Sequence, residues 1–221
     1  MHVERPSLES WLAELTDPTK PISFSRWGDG EWKSVLSPGG EQTNCDGHKY
    51  FPEMGKELQN VLHSRPAYRL GMQPLALRIF KKNILGFLQH FKLDDLIWYD
   101  SDVFHRGAIA GRMDEILKAM NSRKVLLVGP AHLKDVPFKY WKQVVVPNKN
   151  VYLSLASVMN QINGLLAGKT EPLLISISAS MPAEIMVDRL YHKYGHLHTI
   201  IDFGSLWDPL VGVRSRSYMR K

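Results

Sequence analysis

Two carboxylates, a guanidinium and two glycines fall within six residues, Arg26-Trp27-Gly28-Asp29-Gly30-Glu31. Asp29 and Glu31, two residues apart, can converge on one point if the chain curls around it. A hard divalent cation such as Mg²⁺ or Mn²⁺ takes one or two such carboxylates and fills its remaining positions with water and substrate phosphates. Arg26 adds a planar fork suited to a phosphate beside that ion. Gly28 and Gly30 remove side chains on either side of Asp29, so a ligand can approach the backbone closely. The same residues also have a purely structural reading. Asp-Gly is a turn dipeptide, Asp29 can cap the following helix, and Glu31 in a first turn suits the helix dipole.

Further candidates stand at the ends of apolar runs. Asp100-Ser101-Asp102 follows Leu96 to Tyr99 and is the rival metal site, since a strand ending in Asp-x-Asp resembles the metal-ligand presentation of GT-A-type glycosyltransferases. His105-Arg106 opens a helical pattern, where the dipole favours anions, so a phosphate on Arg106 would relieve an awkward cation. Solvent exposure would relieve it too. Ser178-Ala179-Ser180 precedes a helix and offers hydroxyls and free N–H groups to an anion, with Ser180 also readable as an ordinary N-cap. Asp202 ends an apolar strand and can be a base, a ribose partner or a support for a metal. As proton acceptor Asp202 ranks first and His105 second. Trp207 and Asp208 can form a sugar platform with a hydrogen-bond acceptor, or Trp207 can plug the core. His132 either faces a site or finishes a surface loop. Asn44-Cys45-Asp46-Gly47-His48 reads as a plain turn or as a loop over a donor.

The segment Phe24 to Glu31 resembles the sRfGDGE signature of the GT-D-type glycosyltransferases, a family long catalogued as a domain of unknown function. A second block, Leu173 to Ser180 and then Thr199-Ile200-Ile201-Asp202-Phe203-Gly204, is similar to that family's C-terminal part. The resemblance implies that Asp29 and Glu31 hold Mn²⁺ or Mg²⁺ beside a nucleotide-sugar donor, most readily a UDP-sugar; with Arg26, Gly28 and Gly30 of the same turn, Arg106, Ser178 and Ser180 are the residues expected to bind that donor. It departs from the family at Ser178-Ala179-Ser180-Met181-Pro182, where Gly-Pro-Thr-Ala is common, and at Ser205, where a His often follows.

These residues need elements to hold them. Ile22 to Ser25 reads as a short strand, and Trp32, Val35 and Leu36 lie at helical spacing after the turn. Ser7 opens a helix with Leu8, Trp11, Leu12 and Leu15 on one stripe, ending before Asp17-Pro18. Further helices are predicted from Pro52 to Leu62, Pro74 to His90, His105 to about Met120, Ser154 to Leu166 and Met181 to Tyr194. The helix from His105 carries a buried stripe of Ile109, Met113, Ile116, Leu117 and Met120. Strands are predicted at Tyr68 to Met72, Lys124 to Val128, Gln143 to Val146, Leu173 to Ile177 and His198 to Asp202. Alternation of this kind implies an α/β, Rossmann-like layered fold with a mainly parallel sheet and helices on both faces, as one domain over residues 1–221, and the resemblance implies that this fold is GT-D-like.

The 221 residues are 44% hydrophobic, enough for a sizeable core. Cys45 is the one cysteine, which rules out an internal disulfide and disfavours a thiolate zinc site. No apolar run is long enough to span a bilayer and the first ten residues lack a signal core, so the expected location is the cytoplasm, or the host cytoplasm for a phage-encoded protein, with no membrane partner. Net charge is +6 and the pI about 9.3, which favours anionic partners. Arg78, Lys81 and Lys82 form a basic helix face, and Arg214, Arg216, Arg220 and Lys221 a basic tail.

The functional expectation is a metal-dependent transfer of a sugar from a nucleotide sugar to an acceptor hydroxyl, with a hydroxymethylated base in DNA as first choice of acceptor. A glycan or glycoprotein acceptor, a hydrolase of nucleotide sugars and a non-catalytic nucleotide- or nucleic-acid-binding module are the alternatives.

Overall fold

The computed structural model describes residues 1–37, 43 and 47–213. Asn44, Cys45 and Asp46, and the basic tail from Arg214, lie outside the described residues. The elements run β1 (Val3–Glu4), α1 (Leu8–Thr16), β2 (Ser23–Trp27), α2 (Asp29–Leu36), α3 (Pro52–His63), β3 (Arg69–Met72), α4 (Pro74–His90) and β4 (Trp98–Asp100). They continue through α5 (Val103–Ile109), α6 (Met113–Asn121), β5 (Val125–Pro130), β6 (Lys142–Val146), α7 (Leu155–Leu166), β7 (Leu174–Ile177), α8 (Ala183–Tyr194) and β8 (Thr199–Asp202). Short 3₁₀ turns follow β5, β6 and β8.

The eight strands among the described residues form one parallel sheet in the order β1-β4-β3-β2-β8-β7-β5-β6. This is the α/β architecture that the alternation of elements predicts. Strands β7 and β8 are buried along their whole length, as parallel strands covered on both faces must be. Side chains alternate between two cores. Trp27, Leu126, Val128, Ile175, Ile177 and Ile200 face α2, α3, α4, α7 and α8. Phe24, Val125, Leu127, Leu174 and Ile201 face α1, α5 and α6.

Register sets the geometry of the site. Trp27 pairs with Met72 and Met72 with Asp100, while Phe24 pairs with Ile201 and Ile177 with Asp202. The chain segments after β2, β3, β4, β7 and β8 therefore leave the sheet along one edge, the place where open α/β sheets bind ligands.

Two expectations change. The helix read from His105 to Met120 is two helices, α5 and α6, because Gly111 takes a left-handed φ of +79° and turns the chain between them. Ile109 then ends α5 and is 78% exposed, not buried. Ser180 is not the N-cap of α8. It has φ +57° in the turn before the helix, its carbonyl accepting from the Ala183 N–H at 2.9 Å, and Pro182 caps the helix instead.

Candidate functional site

Helix α2 begins where β2 ends, and its first turn is fastened from three sides. Glu31 folds back so that its Oε2 accepts from the Gly28 N–H at 2.8 Å. Gln73, which caps α4, accepts from the Asp29 N–H at 3.3 Å. Trp32 is fully buried against Trp27 and Trp98, with ring centroids 5.9 and 5.6 Å away. Gly28 has no space for a side chain, since a Cβ would lie 2.9 Å from Glu31 Oε2 and 3.1 Å from Gln73 Oε1. Gly30 is buried in the same turn. The structural reading of Glu31 as a partner of its own helix start is thus realised with one carboxylate oxygen.

Carboxylates collect around that turn. Burial raises Glu31 to about 7, with Asp202 and Asp29 adding like-charge repulsion, while the N–H groups of Glu31 and Gly28 pull the other way. Glu184, in the first turn of α8, is buried and held well above the usual carboxylate range by desolvation and then by Glu31 and Asp202. Its Oε2 has no hydrogen-bond partner among the described residues. Asp202 is buried too, with Oδ1 accepting from the Gly204 N–H at 2.8 Å. Neither Glu184 nor Gln73 stands out from sequence motifs. The available signals were an acid inside the apolar run Ala183 to Val187, and an amide between a strand end and Pro74.

Arg26 reaches the same edge from the other face of the sheet. Its Nε donates to the Ser101 carbonyl at 3.1 Å and its Nη2 lies 3.5 Å from Asp102 Oδ1. Nη1 lies against Gly204, where a Cβ would overlap it, and Gly204 also needs its left-handed φ of +55°. The rival pair is committed elsewhere. Asp100 is buried and holds Arg106 bidentately, Nη1 to Oδ1 at 2.9 Å and Nη2 to Oδ2 at 2.8 Å, and it also accepts from the Asp102 N–H at 2.9 Å. Helix α5 starts at Val103, so Arg106 lies in its last turn and not at its start, and the guanidinium charge is met by Asp100. Asp102 receives Arg26 and the Ser101 hydroxyl.

The remaining candidates are dispersed. Ser178 is buried at the end of β7 with no hydrogen-bond partner for its Oγ among the described residues. His105 is half-buried on α5. Trp207 is no sugar platform: it is fully buried between Phe138 and Phe203, its Nε1 donating to Ser176 Oγ at 3.1 Å. His132 and Asp208 meet, Nε2 to Oδ1, at 2.9 Å. His48 is buried, its Nδ1 accepting from the Asn150 N–H at 3.3 Å.

Among the described residues no three His, Cys, Asp or Glu side chains enclose an ion by themselves. Hard oxygens that repel one another, with Glu184 Oε2 orphaned, suit an ion that takes one or two carboxylates and draws its other ligands from phosphate and water. No helix of the described residues is long and apolar enough to cross a membrane.

No protein-family model matches the chain, and no curated protein does. Two solved structures of the domain of unknown function 1792 are similar to it, each with a TM-score of 0.66, covering 93% of this chain and 79% of theirs. One is a selenomethionine-substituted structure at 14% identity, and the other, at 15%, is described as having a distinct glycosyltransferase fold. At that identity the likeness establishes the fold, and the fold of this chain is the glycosyltransferase fold of those domains.

Proposed function

We propose that the protein is a metal-dependent glycosyltransferase that moves a sugar from a nucleotide-sugar donor, a UDP-sugar first, to an acceptor hydroxyl. The observation that carries this reading is the gathering of Asp29, Glu31, Asp202, Glu184 and Arg26 at the carboxyl edge of a glycosyltransferase fold. Asp29 and Glu31 would hold Mn²⁺ or Mg²⁺. When bound, such an ion supplies Lewis-acid stabilisation to the departing diphosphate. Arg26 places a positive charge beside the phosphates, and Ser178 with the turn at Ser180 offers a hydroxyl and backbone groups to the donor. Asp202, buried and with one oxygen tied to Gly204, suits support of the metal better than proton abstraction. The acceptor we favour is a hydroxymethylated base in DNA. The +6 charge supports a polyanion, as does helix α4, which starts beside Asp29 and exposes Arg78, Lys81 and Lys82 with no acidic residue along its length.

Thermal unfolding tests the donor site. Wild type and Glu31→Ala are compared with UDP, GDP and other nucleoside diphosphates, each with and without Mn²⁺. A ligand at 100 times its dissociation constant adds about 2.7 kcal/mol, roughly 5–11 °C in a chain of this size. A Mn²⁺-dependent rise with one nucleotide, absent in the variant, is expected. No rise with any nucleotide overturns the reading.

A further inference from the structure

We infer that His132, oriented by Asp208, is the proton acceptor for the incoming hydroxyl; this rests on the glycosyltransferase reading. The two residues come from different strand ends on the site's edge, His132 from the turn after β5 and Asp208 from the segment after β8. His132 Nε2 and Asp208 Oδ1 are 2.9 Å apart, the carboxylate buried and the imidazole 28% exposed. An Nε2–H donated to Asp208 leaves Nδ1 with its lone pair, and Nδ1 has no protein partner among the described residues. A base oriented by a third group is the arrangement that nucleophile activation requires.

Both supports are rigid. The turn after β5 is tied by Gln143 Nε2 donating to the Pro130 carbonyl at 3.0 Å and by the buried Leu133. Gly129 packs on the donor side of the site, where a Cβ would lie 3.3 Å from Ser178 Cβ. The segment bearing Asp208 is fixed by Gly204 against Arg26 and by Trp207 hydrogen-bonded to Ser176. Strand β5 stands three places from β2, whose end carries Asp29 and Glu31, about 14 Å at ordinary strand spacing. That offset is to be spanned by the diphosphate and its sugar together, between those carboxylates and an acceptor at His132. In the step, the acceptor oxygen forms its bond to the anomeric carbon as the carbon–oxygen bond to the diphosphate breaks. The leaving nucleotide keeps the electron pair, and the hydroxyl proton passes to His132 Nδ1. A single displacement of this kind inverts the anomeric configuration.

The test measures turnover of a nucleotide sugar, the anomer formed and the nucleotide-induced thermal shift for wild type, His132→Gln, His132→Ala and Asp208→Asn. The expected result is an inverted product, a fall in kcat of about 10²–10⁴ for His132→Gln, and an unchanged donor KM and thermal shift. Added imidazole is expected to restore part of the activity of His132→Ala, and Asp208→Asn to lower kcat by less than His132→Gln. A His132→Gln enzyme within threefold of wild type, loss of the nucleotide shift along with activity, no rescue by imidazole, or a retained configuration overturns the assignment. Wild type that turns over no nucleotide sugar fails the glycosyltransferase reading, and the role of His132 with it.

Discussion

Glu31 is where stability and function pull apart. A carboxylate that burial and two acidic neighbours push up to about 7 is costly to keep charged, yet one of its oxygens closes the start of α2. Glu31→Gln keeps an acceptor for the Gly28 N–H and removes the charge. It is expected to stabilise the fold by about 1–2 kcal/mol, seen as a higher urea midpoint at pH 7.5, while losing the Mn²⁺-dependent nucleotide shift. An unchanged or lower midpoint would show that the buried charge is already compensated. Gly204 makes the opposite case. Gly204→Ala must place a Cβ on Arg26 Nη1 at a left-handed φ, so a loss of about 1–3 kcal/mol and weakened nucleotide binding are expected together. Asp29, Glu31 and Arg26 were legible because three charged groups crowd a Gly-flanked turn. Glu184 was not, since a lone acid in a helix is ordinary until the fold buries it beside two others.

Helix α2 is held as an element by Trp32, whose indole fills the space between Trp27 and Trp98. Trp32→Ala is expected to cost about 3–5 kcal/mol, read by denaturant unfolding, and to release Asp29 and Glu31 from their place. A second dependence lies at the start of β8. His198 is buried, stacks on Tyr194 and accepts from the Leu173 N–H at 3.3 Å through Nδ1. Burial lowers its pKa below the usual 6.5, so the unfolded chain takes up a proton at pH values where the folded chain does not. Stability from this group is complete above 6.5 and falls as the pH drops below it. His198→Asn, which keeps an acceptor, is expected to flatten the decline in urea midpoint between pH 7.5 and 5.5; an equal decline would place its origin elsewhere. The spacing of apolar residues revealed most helices, including α1 with its Ser7 cap and α3 opened by Pro52. It missed the break between α5 and α6, because a stripe from Ile109 to Met120 looks continuous while a single left-handed glycine divides it.

At the scale of the molecule, α4 starts beside Asp29 and exposes Arg78, Lys81 and Lys82 along its length without a balancing acid. If duplex DNA is the acceptor, Lys81→Glu with Lys82→Glu is expected to weaken duplex binding at 50 mM salt at least tenfold. The same change should reduce the salt slope by about 0.9 for each phosphate no longer neutralised, with the melting temperature unchanged. Equal binding by the two proteins would remove α4 from the acceptor surface. The order of the strands is what brings such distant residues to one edge. Composition, periodicity and turn residues act between near neighbours, so the sequence by itself determined the alternating elements, the α/β class and the Asp-Gly-Glu turn. Which strand lies beside which depends on long-range burial. Only the tertiary structure therefore decided that β2 stands next to β8, that Asp202 and Glu184 close around Glu31, that Asp100 is spent on Arg106, and that His132 meets Asp208 across 76 residues of chain.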